Sequence, residues 1–297
     1  MKTSLKCLCG AIAAACAMSA AMAADIPVQK ADPALNARLP EAIRSAGVIR
    51  NCVIGNFSPY TITRSDKSLE GAAMDLTKAV SEVLGIPIET TKISGHTSVM
   101  LGLSSGRYDM TLEPVGDYPD REEKYDFMDY VQEYVVFAVK KGNPKNIQEL
   151  KDTCGLKVAV MAAGSAERVI RKQSEICVQK GKKPVTVLAF EGQAAPAMAL
   201  TSGRADAFFS SQAPLSYFVS QSGGRLELAA VGKKNGFDDI WQGGVVVKGN
   251  PLGPVIVDAL KVLFENGTYG AIMDKWNLDY NKIAAPGLNL CTAGQKK

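Results

Sequence analysis

Two stretches of the sequence repeat each other, and this repeat constrains the fold more than any other feature. The stretch LSSGRYD at 103–109 resembles LTSGRAD at 200–206, an offset of 97 residues (200 − 103), and Pro87 matches Pro184 at the same offset. Self-similarity at a fixed offset indicates that one supersecondary unit occurs twice. We therefore expect two similar structural halves.

Each copy alternates segments that have strand and helix patterns. Leu76, Val80 and Val83 share one face at helical spacing, and Gly85 ends that helix. The predicted elements are strands at 48–55, 87–93 and 108–112 with helices at 73–84 and 97–105, then strands at 157–161, 184–190 and 205–209 with helices at 165–178 and 195–202. This alternation predicts an α/β fold in which each half has a mainly parallel sheet flanked by helices. Such sheets bind ligands beyond the carboxyl ends of their strands, here at 56–60, 113–121, 162–165 and 210–212.

Two β-rich runs, 134–140 and 243–248, are each followed by Gly-Asn-Pro, and we expect them to be paired strands that cross between the halves. The chain would then leave lobe 1 by the first run and return by the second. This predicts an N-terminal extension at 24–45, lobe 1 at 46–139, lobe 2 at 140–242 and a return to lobe 1 at 243–297. A ligand cleft should lie between two lobes joined by a two-strand hinge. The length of 297 residues is sufficient for two such lobes.

The first 23 residues have the pattern of a secretory signal peptide. Lys2 and Lys6 precede an apolar run that ends in Ala21-Met22-Ala23, and we expect cleavage after Ala23. A lipoprotein signal at Cys16 is a minor alternative, because Ala13 lies where a large aliphatic residue is needed. The formal charge of +4 falls to +2 without the two lysines, which leaves no basic stripe for nucleic acid. These features predict an exported, soluble protein of the periplasm.

Four cysteines follow the predicted cleavage site: Cys52, Cys154, Cys177 and Cys291. An even number of cysteines in an exported protein suggests disulfides. Of the possible pairings, Cys154 with Cys177 closes a short loop, and a second bridge between Cys52 and Cys291 is possible. Buried free thiols are the alternative for both pairs. No C-x-x-C follows residue 23, and we expect no metal site and no cofactor.

Several short motifs in a fixed order resemble the extracellular solute-binding proteins of family 3, which serve polar amino-acid ABC importers. The resemblance covers about residues 46–278. It rests on GVIR at 47–50, LEG at 69–71, the repeat at 103–109, PDR at 119–121, YDF at 125–127, and GTY and KW at 267–269 and 275–276. It implies the two-lobed type II periplasmic-binding fold. It also implies a monomer that captures an amino acid, or a related small zwitterionic or cationic solute, and delivers it to the membrane subunits of an ABC importer.

The resemblance also implies positions for the ligand. Arg121 stands where the family has an arginine that binds the ligand α-carboxylate, and the planar guanidinium suits a bidentate contact. Ser165 opens the first helix of lobe 2, where a hydroxyl and free backbone amides favour an anion. Phe57 and Tyr60 match a stretch that commonly forms an aromatic wall, although either could belong to the core. A charged helix start is the alternative for Arg121, and a plain N-cap is the alternative for Ser165.

Three departures from the family pattern bear on selectivity. Ser211 lies at the strand end where many relatives have an aspartate for the α-ammonium. Gly116 lies in the segment before Arg121 that is usually rich in Ser and Thr, so a backbone amide could replace a hydroxyl. Glu113 brings a carboxylate to a strand end, where it either meets a cationic ligand group or pairs with a protein cation, because an uncompensated buried charge is unfavourable.

Two other classes of function are open. A few relatives with this fold are lyases such as cyclohexadienyl dehydratases, and Glu113 is the only evident candidate for the general acid that they need. His96, the sole histidine, is expected at the surface rather than as a base. A protein that presents ligand to a receptor is the other alternative. We expect a binding protein rather than an enzyme.

Overall fold

The computed structural model describes residues 26–293, so the predicted signal peptide lies outside the described residues. The first half of the chain contains α1 (Pro33–Ala37), α2 (Glu41–Ala46), β1 (Ile49–Val53), β2 (Asn56–Phe57), β3 (Thr61–Thr63), β4 (Leu69–Glu70), α3 (Ala72–Leu84), β5 (Ile88–Lys92), α4 (Gly95–Ser104), β6 (Thr111–Gly116), α5 (Pro119–Glu122) and β7 (Tyr125–Glu133). The second half begins with β8 (Val135–Lys140), β9 (Lys157–Met161), α6 (Ser165–Gln179), β10 (Thr186–Phe190), α7 (Ala194–Thr201), β11 (Ala207–Ser211), α8 (Gln212–Ser220) and β12 (Leu226–Ala229). The chain continues with β13 (Ile240–Val247), α9 (Leu252–Glu265), α10 (Thr268–Lys275), β14 (Gly287–Leu288) and α11 (Leu290–Ala293).

The repeat is confirmed as two strand and helix units with nearly the predicted bounds. The helix predicted at 73–84 is α3, whose apolar face packs into the core and whose end at Gly85 has the left-handed conformation (φ 61°) that glycine tolerates. The strand predicted at 108–112 is displaced. It forms at Thr111–Gly116, and only Met110 makes a bridge to Asn51.

Lobe 1 is built on the sheet of order β14-β7-β13-β6 and the parallel pair β1 and β5. Its large sheet is antiparallel, so the expected parallel pairing is restricted to β1, β5 and the bridge to Met110. Helices α9 and α10 share one core with α3, and Ile256, Leu260 and Ile272 lie there beside Leu76. The segment after β13 therefore completes lobe 1.

Lobe 2 is built on a five-stranded sheet of order β10-β9-β11-β8-β12. The strands β10, β9 and β11 are parallel, as the repeat predicts, while β8 and β12 run antiparallel. Helix α6 buries Ile170, Gln173 and Cys177 against this sheet. The carboxyl ends of β9 and β11 point towards lobe 1, because residues that follow both strands line a cavity shared with that lobe.

The two β-rich runs are not paired with each other, so the expectation of paired crossover strands at 134–140 and 243–248 is wrong. Residues Val135–Lys140 pair with β11 and β12 in lobe 2, whereas β13 pairs with β6 and β7 in lobe 1. The chain therefore changes lobe at Tyr134 and again just before Ile240, which lies opposite Glu133 in the ladder. Both crossings are side by side, several residues earlier than the predicted boundaries at 139/140 and 242/243. The sequence runs could not show this, because pairing partners are distant in the chain.

The disulfide between Cys154 and Cys177 is present and joins the start of the β9 region to the last turns of α6. The possible second bridge is absent, and Cys52 and Cys291 are free thiols. Cys52 is fully buried on β1 in an apolar cluster with Val99. Cys291 lies instead on α11, where its backbone N–H donates to Asp117.

Candidate ligand-binding site between the lobes

A small cavity lies where the strand ends of the two lobes meet. Lobe 1 contributes Phe57, Gly116 and Arg121, and lobe 2 contributes Ser165 and Ser211. These five predicted residues are therefore brought together by the fold. The cavity volume is about 40 Å³, which is room for only a few waters at roughly 10–15 Å³ each. The lobes are therefore close together in this conformation.

Arg121 presents a guanidinium to this cavity from the short helix α5. Its Nη1 donates to the carbonyl oxygen of Gly116 at 3.0 Å, and its Cζ lies 5.2 Å from the centre of the Tyr118 ring. Burial is the main factor that lowers the pKa of Arg121. Within residues 26–293, no carboxylate lies within salt-bridge distance of this guanidinium, and the adjacent Asp120 pairs with Arg168 instead. The remaining N–H groups of Arg121 are thus suited to an anion.

Tyr118 lies between two arginines from different lobes. Arg121 of lobe 1 and Arg168 on α6 of lobe 2 lie 5.2 and 5.4 Å from the ring centre, within the range of cation–π attraction. Arg168 Nη1 also contacts Asp120 Oδ2 of lobe 1 at 2.9 Å. Burial raises the pKa of Tyr118, although the Ser165 hydroxyl and both arginines oppose that rise. Tyr118 and Asp120 therefore hold the two lobes together beside the cavity.

The lobe 2 wall of the cavity is uncharged and combines polar groups with the apolar Val135, Met161 and Ala166. Ser165 is the first residue of α6, and Gly164 lies before it as the cap. The side chains of Gln193 and Ser210 exchange hydrogen bonds of 3.0 and 3.2 Å, and both are buried. Ser211 caps α8 at the end of β11. This wall offers hydroxyls, amides and a helix N-terminus to a ligand.

Of the two predicted aromatic residues, only Phe57 lines the cavity. Tyr60 is fully buried in the lobe 1 core and stacks on Phe57 with ring centres 5.5 Å apart. The expectation that Tyr60 forms part of the ligand wall is therefore wrong. Its ring supports Phe57 from behind, because the turn at 58–60 directs it into the core.

The structure also contradicts both expectations for Glu113. Its carboxylate accepts hydrogen bonds from the backbone N–H of Ile54 at 2.8 Å, from that of Gly55 at 3.4 Å and from the hydroxyl of Thr61. Glu113 is not among the residues that line the cavity, and no cation pairs with it among the described residues. Burial raises the pKa of Glu113, and these three hydrogen bonds oppose the rise. Backbone amides and a hydroxyl, rather than a cation, compensate the carboxylate here.

Two polar residues of the cavity were not among those predicted from the sequence. His96 is half-buried and lines it, and burial, reinforced by the charge of Arg121, lowers its pKa to about 4. Gln242 on β13 lines it as well and is only 6% exposed. Gln242 does not follow one of the repeated strands, so the rule that ligands bind at their carboxyl ends did not indicate it. It reaches the cavity because β13 pairs with β6, which is distant in the sequence.

A group of buried carboxyls lies behind Arg121. The backbone N–H groups of Leu290 and Cys291 donate to Asp129 at 2.9 Å and to Asp117 at 3.0 Å, while Glu122 accepts from Thr292. Burial, reinforced by the neighbouring carboxyl, raises the pKa of Asp117 to about 9, and burial raises that of Asp129 to about 7. These carboxyls attach the segment of α11 to lobe 1. In the part of the chain that the structure describes, no set of three or more His, Cys, Asp or Glu side chains is arranged to hold a metal ion.

The chain matches the sequence model of the bacterial extracellular solute-binding proteins, family 3, over residues 49–279. The chain belongs to this family. The family is thus the one that the motifs indicated, and most of the described chain takes part in the match. Between residues 26 and 293, no helix combines the length and the apolar character that crossing a membrane requires.

Similar proteins of known function bind amino acids. The arginine-binding protein ArgT of Corynebacterium glutamicum is 28% identical over 252 residues, which cover 83% of this chain and 80% of the relative. The L-cystine-binding protein TcyA of Bacillus subtilis is 26% identical over 84% of this chain and 88% of the relative. The amino-acid ABC transporter substrate-binding protein AbpA of Streptococcus pneumoniae, solved with L-arginine, has a TM-score of 0.71 at 20% identity and covers 81% of this chain and 99% of its own. This solved structure confirms the predicted type II fold.

Proposed function

We propose that this protein captures an amino acid, or a related small zwitterionic or cationic solute, in the cleft between its lobes and delivers it to an ABC importer. The family, and relatives named for arginine and L-cystine binding, support this function. The observation that carries it is the guanidinium of Arg121, which faces the cavity without a carboxylate partner among the described residues. A ligand carboxylate is the natural complement of this group. We propose further that the protein acts in the periplasm as a monomer, after removal of residues 1–23.

We propose that binding works by hinge closure. The ligand docks on lobe 1 through Arg121, and lobe 2 then closes with Ser165 and Ser211. The present cavity of about 40 Å³ supports a hinge motion, because it has to widen before an amino acid can enter. Arg168 and Asp120 lie in position to stabilise the closed form. The membrane subunits of the importer would recognise that form.

A binding role is favoured over the lyase alternative by the position of Glu113. A dehydratase needs a general acid in contact with its substrate. Glu113 was the candidate, and it accepts hydrogen bonds from Ile54 and Gly55 outside the cavity. One solved neighbour is an ancestral amino-acid-binding protein that preceded a cyclohexadienyl dehydratase (TM-score 0.70, 23% identity, covering 80% of this chain and 98% of its own). Turnover of prephenate or arogenate by the purified protein would overturn the assignment as a binding protein.

Replacement of Arg121 tests the proposed function. A screen of the twenty L-amino acids by thermal shift identifies the solute that stabilises the wild type most, and calorimetry then compares the variants. We expect Arg121→Ala to weaken that solute by about 2–5 kcal/mol, because it removes one partner of a buried charged hydrogen bond. Arg107→Ala, an exposed arginine whose guanidinium lies over Tyr108, is the matched control. Equal affinity in wild type and Arg121→Ala would contradict the carboxylate contact.

A further inference from the structure

We propose that Gln242 binds the α-amino group of the ligand and that this protein therefore uses an uncharged acceptor for that group. The inference rests on the proposed function, because it takes Arg121 as the carboxylate site. It starts from the Oε1 atom of Gln242, which is buried and has no hydrogen-bond partner among the described residues. The side chain is only 6% exposed and lines the cavity.

The position of Gln242 relative to Arg121 supports this assignment. Gln242 lies directly opposite Gly116 in the antiparallel pairing of β13 with β6. Residues opposite each other in such a ladder have Cα atoms about 4.5–5.5 Å apart. The carbonyl oxygen of Gly116 in turn accepts from Nη1 of Arg121 at 3.0 Å. A carboxylate on Arg121 therefore carries its α-carbon close to Gln242.

The charges around the cavity also favour an uncharged acceptor for the α-amino group. Among the described residues, no Asp or Glu side chain lines it. Ser165, Gln193 and Ser211 of lobe 2 are uncharged, and the low pKa of His96 keeps its imidazole neutral at physiological pH. A donor on the ligand can therefore be met only by neutral oxygens or nitrogens. Two buried atoms of residues that line the cavity have no hydrogen-bond partner among the described residues, Nδ1 of His96 and Oε1 of Gln242. The pairing of Gln242 with Gly116 places Gln242 beside the carboxylate site.

A neutral acceptor gives a selectivity that a carboxylate would not give. A buried acceptor that has no hydrogen-bond partner is unfavourable, and either an N–H or an O–H of the ligand can supply the missing partner. The site should thus discriminate strongly against a deamino acid, which has no donor on its α-carbon. It should discriminate much less between an amino acid and the corresponding 2-hydroxy acid. A carboxylate at this position would favour the amino acid over the hydroxy acid more strongly, because it would also form an ion pair with the ammonium.

Calorimetry with matched ligands tests this proposal. The first set is L-arginine, 2-hydroxy-5-guanidinopentanoate and 5-guanidinopentanoate, and the same three forms are used for whichever of the twenty amino acids stabilises the wild type most. We expect the deamino acid to bind wild type about tenfold to a hundredfold more weakly than the amino acid, the range for a hydrogen bond to a charged group. The hydroxy acid should fall between the two.

Two variants separate the acceptor from the shape of the side chain. Gln242→Met should weaken the amino acid by that same factor and leave the deamino acid within about twofold. Gln242→Glu should restore binding of the amino acid, because the new carboxylate attracts the ammonium. It should weaken binding of the deamino acid, because the same carboxylate repels the ligand carboxylate and has no ammonium to attract. Gln179→Met, at an exposed position on α6, is the control for a glutamine change in general. Urea melts show whether each variant folds, and the comparison of ligands on wild type needs no variant.

The outcomes distinguish this inference from the proposed function. The role of Gln242 is overturned if Gln242→Met weakens binding of the amino acid and of the deamino acid equally. It is also overturned if the wild type binds the deamino acid as tightly as the amino acid. The proposed function survives either result if Arg121→Ala still abolishes binding. Failure of the wild type to bind any of the twenty amino acids, L-cystine or another small zwitterionic or cationic solute overturns the proposed function, and the inference with it.

Discussion

The disulfide of lobe 2 should stabilise the wall of the cleft that α6 provides. Cys177 lies near the end of α6, whose first residue, Ser165, lines the cavity. The bond to Cys154 closes a loop with a sequence separation of 23 residues. In the chain-entropy account, closing a loop of that length removes unfolded-state freedom worth about 3.4 kcal/mol at 25 °C. For a protein of this size, that free energy corresponds to roughly 7–14 °C in the melting temperature.

The double variant Cys154→Ala and Cys177→Ala tests this magnitude by urea and thermal unfolding. Cys291→Ala, which removes a free thiol, is the control and should melt like the wild type. A reductant should lower the unfolding midpoint of the wild type and leave that of the double variant unchanged. Equal unfolding midpoints for wild type with and without reductant would refute the reasoning. Peptide mapping of the unreduced protein checks independently that the two thiols are joined.

Three further predictions concern buried ionisable groups. Because the pKa values of Asp117 and Asp129 are raised to about 9 and about 7, the stability that they contribute is complete below about pH 4 and is lost as pH rises through these values. Unfolding free energies measured from pH 5 to 9 should therefore fall, and Asp117→Asn should flatten that fall; a rise would contradict it. Glu113→Gln should destabilise the protein by about 1–3 kcal/mol in urea melts, because Ile54 and Gly55 donate to different carboxylate oxygens and glutamine replaces one of these oxygens with an NH2 donor. A changed ligand preference would instead place Glu113 in the cleft. The imidazole of His96, the single histidine, should titrate near pH 4 by NMR in the folded protein and near 6.5 after unfolding, and a folded value of 6 or more would show that it is solvated.

The parts of the cleft that the sequence predicted are those set by local order along the chain. The carboxyl ends of the predicted strands fall at 113–121, 162–165 and 210–212, so the segments that contain Gly116, Ser165 and Ser211 could be placed at the sheet edge from the sequence. The family resemblance added Arg121 and Phe57, and all five line the cavity. Their contacts with a ligand stay predictions.

The parts that the sequence could not predict depend on side-chain direction and on long-range pairing. Glu113 and Gly116 lie three residues apart on one strand and therefore face opposite sides of the sheet, so Gly116 lines the cavity and Glu113 meets the N–H groups of the loop at 54–55. The strand was predicted to end at residue 112, so this alternation did not follow from the sequence. Tyr60 points into the core because the turn before it sets its direction. Gln242 reaches the cavity through a strand that joins its sheet more than a hundred residues after β6. None of these directions follows from hydrophobic periodicity.

The side-by-side crossings make lobe 2 an insertion into lobe 1. The chain leaves after Glu133 and returns at Ile240, and these two residues are partners in one ladder. An insertion whose ends are neighbours can be exchanged for another without rerouting the host chain. Such an exchange would leave Arg121 and Gln242 in place and replace Ser165 and the rest of the opposite wall. In a chimaera with a relative's lobe 2, one wall of the binding cleft would thus come from each parent protein.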